Sequence, residues 1–317
     1  RLVPLLKLRK LSPEDSQGLA FELMDEEQRK RFLQNKEIDF SYNFDDKARF
    51  RVNVFFQRGN ISSALRQIPA KIPTLEELNL PAILHDFGRA NQGFVLITGP
   101  SSHGKSTTLA SLIDEINHSR DEHIITIEDP IEYIFEADKC IIDQREVYHD
   151  TLSFAKALHS TFRQDPDVIM VGEMRDPETM ATAITAAETG HLVFATLHTN
   201  SASQSIHRIV DSFPSEQQGQ VRAQLSGSLL GVVSQRLIPR TKGGLIPACE
   251  IMFNTSAVAN LIRENKIHEL DLVIETSSEA GMTTLNRSLS NLVKAKEISS
   301  KNALVYSLSP SELKRLL

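Results

Sequence analysis

Nine residues, Gly99-Pro100-Ser101-Ser102-His103-Gly104-Lys105-Ser106-Thr107, carry the plainest chemistry in the chain. They fit G-x-x-x-x-G-K-[S/T] at every fixed position. Glycine at 99 and 104 lets the backbone turn its N–H groups onto phosphate oxygens, and a helix N-terminus behind them adds partial positive charge. In this pattern Lys105 reaches the β- and γ-phosphates and the Ser106 hydroxyl ligates magnesium. A chance glycine turn would not bring the flanks seen here. Residues 94–98 are a short apolar run of strand type, and Leu109, Leu112, Ile113 and Ile116 share one helical face. Strand, loop and helix in that order point to a nucleoside triphosphate, with Gly99, Ser102, His103, Gly104, Lys105, Ser106 and Thr107 around its phosphates.

Such a loop needs a carboxylate on a nearby strand end, to hold magnesium or to orient water. Two segments qualify. Residues 165–173 form an apolar strand ending in Glu173, and residues 124–132 have the same form with Glu128 at the strand end. In a parallel sheet the C-terminal strand ends share one edge, which would bring Glu128 and Glu173 to the γ-phosphate, with Glu173 as a magnesium ligand beside Ser106. Asp129 and Asp176 are read equally well as loop acids that cap a following helix. Residues 190–200 place a histidine at each end of a buried strand. His198 falls at the catalytic edge; His191, at the other end, is read as structural. No histidine or cysteine pair has zinc-ligand spacing. Arginines often complete phosphoryl-transfer sites from a neighbouring subunit. Arg51, Arg66 and Arg163 are available, but a surface arginine is as readily just solvated, so their role depends on the family pattern below.

The rest of the chain must position these groups. Its 317 residues are 40% hydrophobic and 24% charged, enough for a large core and two domains. The net charge of −6 gives no global basic character that would argue for nucleic acid or an acidic membrane surface. No apolar run has the length of a membrane span, and no signal peptide is visible. Cys140 and Cys249 sit in apolar runs, as buried thiols in a reducing, cytoplasmic compartment would. The chain opens at Arg1 inside Leu2-Val3-Pro4-Leu5-Leu6, which reads as a strand cut from something longer. Residues 1–68 are expected to form a small α+β domain. A helix starts at Ser12-Pro13, a charged helix follows near 26–33, and a β-hairpin over 38–57 turns at Asp45-Asp46-Lys47. Residues 69–82, with Pro69 and Pro73, read as a semi-rigid linker. From 83 onward strands near 94–98, 123–128, 140–144, 168–172 and 192–197 alternate with helices near 105–117, 151–163 and 176–189. That alternation predicts a mainly parallel sheet covered on both faces. From about 201 the chain is expected to be mostly helical.

Together these motifs resemble the type IV pilus retraction ATPases, the PilT/PilU group of the secretion-ATPase superfamily. The resemblance rests on F-R-V-N-V-F-F-Q-R-G at 50–59, the phosphate loop (Walker A), I-T-I-E-D-P-I-E at 125–132 (the Asp box), D-Q-R-E-V at 143–147, R-Q-D-P-D-V-I-M-V-G-E-M-R-D at 163–176 (Walker B) and T-A-A-E-T-G-H-L-V-F-A-T-L-H-T-N at 185–200 (the His box). It implies a PAS-like N-terminal domain followed by a RecA-like ATPase domain. Six chains would form a ring that binds ATP and Mg2+ and drives removal of pilin subunits at the cytoplasmic face of the bacterial inner membrane. The ring would be peripheral to the membrane and would meet an inner-membrane pilus platform protein and, in some systems, a second retraction ATPase. Nucleic acid is not an expected partner. Carried across, Lys105 and Ser106 bind phosphate and magnesium, Glu173 is the Walker B acid, Glu128 polarises water, and Arg51 and Arg66 reach phosphate.

The chain departs from that pattern at three places. Ser102 and His103 stand where the loop of the family has glycine and serine, which predicts a serine strained at positive φ. His159 stands at one arginine position, and Ala257-Val258-Ala259-Asn260-Leu261-Ile262-Arg263-Glu264 lacks one arginine of the retraction signature. An accessory ring that binds ATP but hydrolyses it poorly is therefore a competing reading. An assembly or secretion ATPase is another; those carry a four-cysteine zinc insertion, and this chain has two cysteines far apart. DNA translocation, a fourth, lacks a basic patch.

Overall fold

The computed structural model describes residues 3, 5, 7–45, 47–69 and 71–317. The strand expected at 2–6 therefore lies largely outside the described residues, as do Asp46 in the hairpin turn and Ala70 in the linker. The chain divides into two compact units, Arg1–Lys71 with Asp129–Tyr133, and Ile72–Glu128 with Ile134–Leu317.

The first unit holds helices Pro13–Glu22 and Glu26–Asn35 and strands β1 (Glu37–Phe44), β2 (Ala48–Gln57) and β3 (Asn60–Ile68). Both helices start on capping boxes, Ser12 with Asp15 and Asp25 with Gln28. The sheet is antiparallel in the order β1-β2-β3. Alternation in β2 drives Val52 and Val54 into a core with Phe32, Ile38, Phe40 and Ile61, and turns Arg49 and Arg51 to the other face. Strand β3 goes beyond the expected hairpin. Its apolar residues do not alternate as in a strand, but Arg58-Gly59 between paired Gln57 and Asn60 is a two-residue hairpin turn. Both turn residues have positive φ, 50° and 78°.

In the second unit β4 (Gly93–Thr98), β5 (His123–Glu128), β6 (Ile141–Glu146), β7 (Val168–Val171), β8 (Leu192–Leu197), β9 (Leu229–Pro239) and β10 (Leu245–Phe253) form one sheet. The order is β10-β9-β4-β8-β7-β5-β6. Only the β9–β10 pair is antiparallel. This is the expected α/β fold with a mainly parallel sheet. Every residue of β4, β7 and β8 is buried, as strands covered on both faces must be. Two boundaries differ from the sequence reading. Ile72 onward already belongs to this unit, and Leu75 and Leu80 are buried, so the linker is shorter than 69–82. The region after 201 is not simply helical, because β9 and β10 run through it. Gly231 lets β9 lie close to its neighbours. A Cβ there would stand 2.6 Å from the Met252 carbonyl oxygen and 2.8 Å from the Phe87 ring. Both cysteines are buried. Among the described residues no helix is long and apolar enough to cross a membrane.

Gly231→Ala is expected to lower stability by about 2 kcal/mol through overpacking. A shifted denaturation midpoint at an unchanged m-value would show it; an unchanged midpoint would mean that the neighbours give way freely.

Candidate functional site

β4 ends at Thr98 and the chain turns at once into the loop. Gly99 has φ 142°, and a Cβ on it would lie 2.3 Å from the carbonyl oxygen of Gln235 in β9. No other residue fits there. Ser102 takes the left-handed φ of 64° expected from its place in the pattern. Without glycine this costs about 1–2 kcal/mol. The helix Lys105–Ser119 starts on Gly104, whose lack of a side chain leaves the first-turn N–H groups without a competing cap.

Lys105 is buried, and its Nζ donates to the carbonyls of Gly99 at 2.9 Å and Pro100 at 3.0 Å. It also stands 3.4 Å from Nδ1 of His198, which lies just beyond β8. Ser101 Oγ is 3.2 Å from the same Nδ1. His198 Nε2 is 3.2 Å from Glu173 Oε1, just beyond β7, and Arg175 Nε donates to Glu173 Oε2 at 2.9 Å. The ends of three neighbouring parallel strands thus bring Lys105, His198 and Glu173 together, as the sequence predicts. Burial and then the Lys105 charge hold the His198 pKa below its usual value, with Glu173 opposing them. A neutral ring satisfies every partner: Nδ1 accepts from Lys105 and Nε2–H donates to Glu173. Glu128, buried at the end of β5, accepts from Thr126 Oγ1 at 2.8 Å and from Gln144 Nε2 at 3.4 Å.

This edge fits a magnesium triphosphate. Ser106 is exposed in the first turn, Glu173 offers carboxylate oxygens two strands away, and the cradle at Gly99 has no room for a Cβ. Asp176 has a different task, as the N-cap of Pro177–Glu188 that accepts from Thr179 N at 2.8 Å. His191 Nδ1–H donates to the Ala186 carbonyl at 2.9 Å, and the ring packs edge-on against Phe162, in keeping with a structural role.

Other expected site residues sit elsewhere. The His103 side chain turns away from the loop cavity, and its Nδ1 accepts the Leu237 N–H at 2.9 Å. Arg163 lies before β7, in the segment whose Gln164 carbonyl and Asp167 meet His123 at the start of β5. That is the opposite edge of the sheet, so Arg163 does not reach the phosphate loop of its own chain. The physical reason is strand direction: a residue before a parallel strand and one after it are separated by the strand's length. His159, on Phe154–Thr161, sits 3.5 Å from Glu178 and likewise serves that helix pair. In the first unit Arg51 and Arg66 are direct cross-strand partners on β2 and β3. Two like charges opposite each other are unfavourable, and Arg51 also pairs with Glu132 at 3.2 Å. Arg49 donates to the Ile131 carbonyl at 3.0 Å.

The residues that sequence reading missed all come from β9 and β10. Gln235 is buried, accepts from Thr108 Oγ1 at 2.8 Å and donates to the His103 carbonyl at 2.9 Å. Arg236 donates to Asn200 Oδ1 at 3.0 Å and to the Tyr306 carbonyl at 3.3 Å. Glu250 accepts the Ala202 N–H at 2.8 Å, at the start of the helix that follows His198. The only signal was three polar residues, Ser234-Gln235-Arg236, inside an apolar run.

A mainly parallel α/β sheet with a glycine-bounded phosphate loop and a strand-end carboxylate defines a P-loop nucleotide-binding protein. The comparisons narrow the class. Residues 28–302 match the family described as Type II/IV secretion system protein, and the chain belongs to that family. It is 47% identical to the type IV pilus retraction ATPase PilT of Pseudomonas aeruginosa, over 94% of this chain and 87% of that one. It is 43% identical to the type IV pilus ATPase PilU of the same organism, over 100% of this chain and 83% of that one. A crystal structure of the pilus retraction motor PilT with bound ADP superposes with a TM-score of 0.89 at 49% identity, covering 98% of this chain and 89% of that one.

Burial pushes the Glu250 carboxyl up to about 7 from an ordinary 4.5. The folded protein therefore keeps a proton between these values that the unfolded chain releases, and stability falls as pH rises through that window, by up to about 3 kcal/mol. Glu250→Gln keeps an acceptor for Ala202 N–H without the charge. It is expected to raise the melting temperature at pH 8 and to lose that advantage by pH 5; the same difference at both would refute the linkage.

Proposed function

We propose that this chain is an ATP-hydrolysing motor that powers retraction of type IV pili. The Lys105–His198–Glu173 cluster, in a chain that aligns with PilT over nearly its whole length, carries the proposal. ATP binds with its phosphates on the loop from 99 to 107. Ser106 and Glu173 would hold magnesium, which would offset the negative charge that develops on the transferred phosphoryl group. Lys105 exchanges the loop carbonyls for phosphate oxygens. Neutral His198 stands between Lys105 and Glu173, where it orients the acid and is placed to register the γ-phosphate. Glu128, one strand beyond, polarises the attacking water.

The working form is a homo-hexamer at the cytoplasmic face of the inner membrane, docked on the pilus platform protein. Arg51 and Arg66 lie on one sheet face and reach phosphate in the assembled ring, and Arg163 acts across a subunit boundary. Ser102 holds the loop in the left-handed conformation that glycine would take, which favours an active enzyme over an accessory ring. Two widely separated cysteines, both buried, argue against a zinc-bearing assembly ATPase.

Magnesium-dependent ATP hydrolysis is expected, and Lys105→Ala and Glu173→Gln are each expected to lower it by about two to three orders of magnitude. Equal rates in the three proteins would sink the motor reading. Cells lacking this chain should be hyperpiliated and unable to twitch; bald cells would point to assembly instead.

A further inference from the structure

We propose that His103 is a positioning residue, a latch that ties the phosphate loop to β9 and the C-terminal helices and so sets the loop's affinity for a nucleoside polyphosphate. The inference rests on the loop being a nucleotide site. Three contacts form the latch. Leu237 N–H donates to His103 Nδ1 at 2.9 Å, and Gln235 Nε2 donates to the His103 carbonyl at 2.9 Å. The imidazole meets the Tyr306 ring edge-on, with centroids 6.3 Å apart. The first contact fills a gap in the ladder. β4 pairs with β9 only as far as Thr98 opposite Ser234, while β9 runs on to Pro239. Beyond Ser234 the β9 backbone has no strand on that side to pair with, and His103 supplies the acceptor that a longer β4 would have given Leu237.

The neighbouring residue gives the latch its purpose. Ser102 holds φ 64° without the freedom of glycine, so the loop is not at rest in this shape by itself. Anchoring residue 103 at both its carbonyl and its ring keeps the turn in place, with the N–H groups of the following residues aimed at the phosphates. In the retraction-ATPase pattern these two positions are glycine and serine, where the turn needs no such support.

The latch closes only on a neutral ring. An imidazolium would face the Leu237 donor with a donor of its own. The charged groups facing it are Lys105 on the loop helix and Arg236 on β9, both cationic, with the Tyr306 phenol ring on the third side. Burial and these cations hold the His103 pKa below its ordinary value, so the latch is closed at neutral pH and opens only in acid.

Binding of a fluorescent ADP analogue to the full chain, with magnesium, tests this at pH 7.5 and at an acidic pH below the lowered His103 pKa, located by titrating its imidazole. His103→Ala should bind about five-fold more weakly at pH 7.5, the effect of one lost hydrogen bond. His103→Asn should restore most of that loss, because its Oδ1 stands where Nδ1 stood. Wild type should lose more affinity than His103→Asn on going to the acidic pH. His198 and the ADP phosphates titrate alike in both proteins, so the difference between them isolates residue 103. Equal affinities in wild type and His103→Ala, or superposable pH profiles for wild type and His103→Asn, would overturn the latch. Wild type that binds no nucleotide at either pH would overturn the nucleotide reading, and the latch with it.

Discussion

Parallel pairing of β9, β4, β8, β7 and β5 decides which side chains in this protein can meet. Each of these strands ends at the same edge, so whatever follows it is delivered there: the phosphate loop after β4, His198 after β8, Glu173 after β7, and Glu128 as the last residue of β5. Hydrophobic burial fixes the strands, since almost every position in them is fully covered. The site inherits that rigidity without spending residues of its own. The same direction rule excludes Arg163, which precedes its strand and is carried to the other edge.

At the shared edge, electrostatics rather than packing sets the arrangement. A cation and a carboxylate lie on opposite sides of one imidazole, and partial desolvation together with the Lys105 charge holds its pKa below the usual value. A neutral ring has one acceptor and one donor, which match a lysine on one side and an acid on the other. The histidine therefore links Lys105 to Glu173 without adding charge of its own. Glu250 beneath the next helix shows the opposite use of burial. There a carboxyl is moved toward neutrality to serve as an acceptor for a helix N-terminus.

Sequence alone disclosed the parts of this design that have a period or a fixed spacing. The apolar runs ending in Glu128 and Glu173, the loop pattern, and the Asp176-Pro177 helix start all follow from local rules. What stayed hidden depended on partners distant in the chain. The apolar residues of β3, Ile61, Ala64, Leu65 and Ile68, lack the alternation of a strand, and only pairing with β2 makes it one. β9 and β10 are apolar enough for either helix or strand, and their glycine argued for neither until Phe87 and the Met252 carbonyl were found packed against it. The roles of Gln235 and Leu237 could not be read at all. They arise because a strand outruns its neighbour at the point where a loop, more than a hundred residues earlier in the chain, needs support.

The short segment Asp129–Tyr133 belongs with the first unit although β5 before it belongs with the second. The polypeptide therefore passes between the units at three places rather than one. Within the first unit, Arg49 and Arg51 grip the Ile131 carbonyl and the Glu132 carboxylate. A fragment that starts at Ile72 would keep all seven strands of the large sheet but would leave those five residues without the β2 arginines that hold them. Independent expression of the nucleotide-binding half would thus disturb the chain directly after Glu128, and a loss of hydrolysis in such a fragment would report on that severed clasp as much as on any missing arginine.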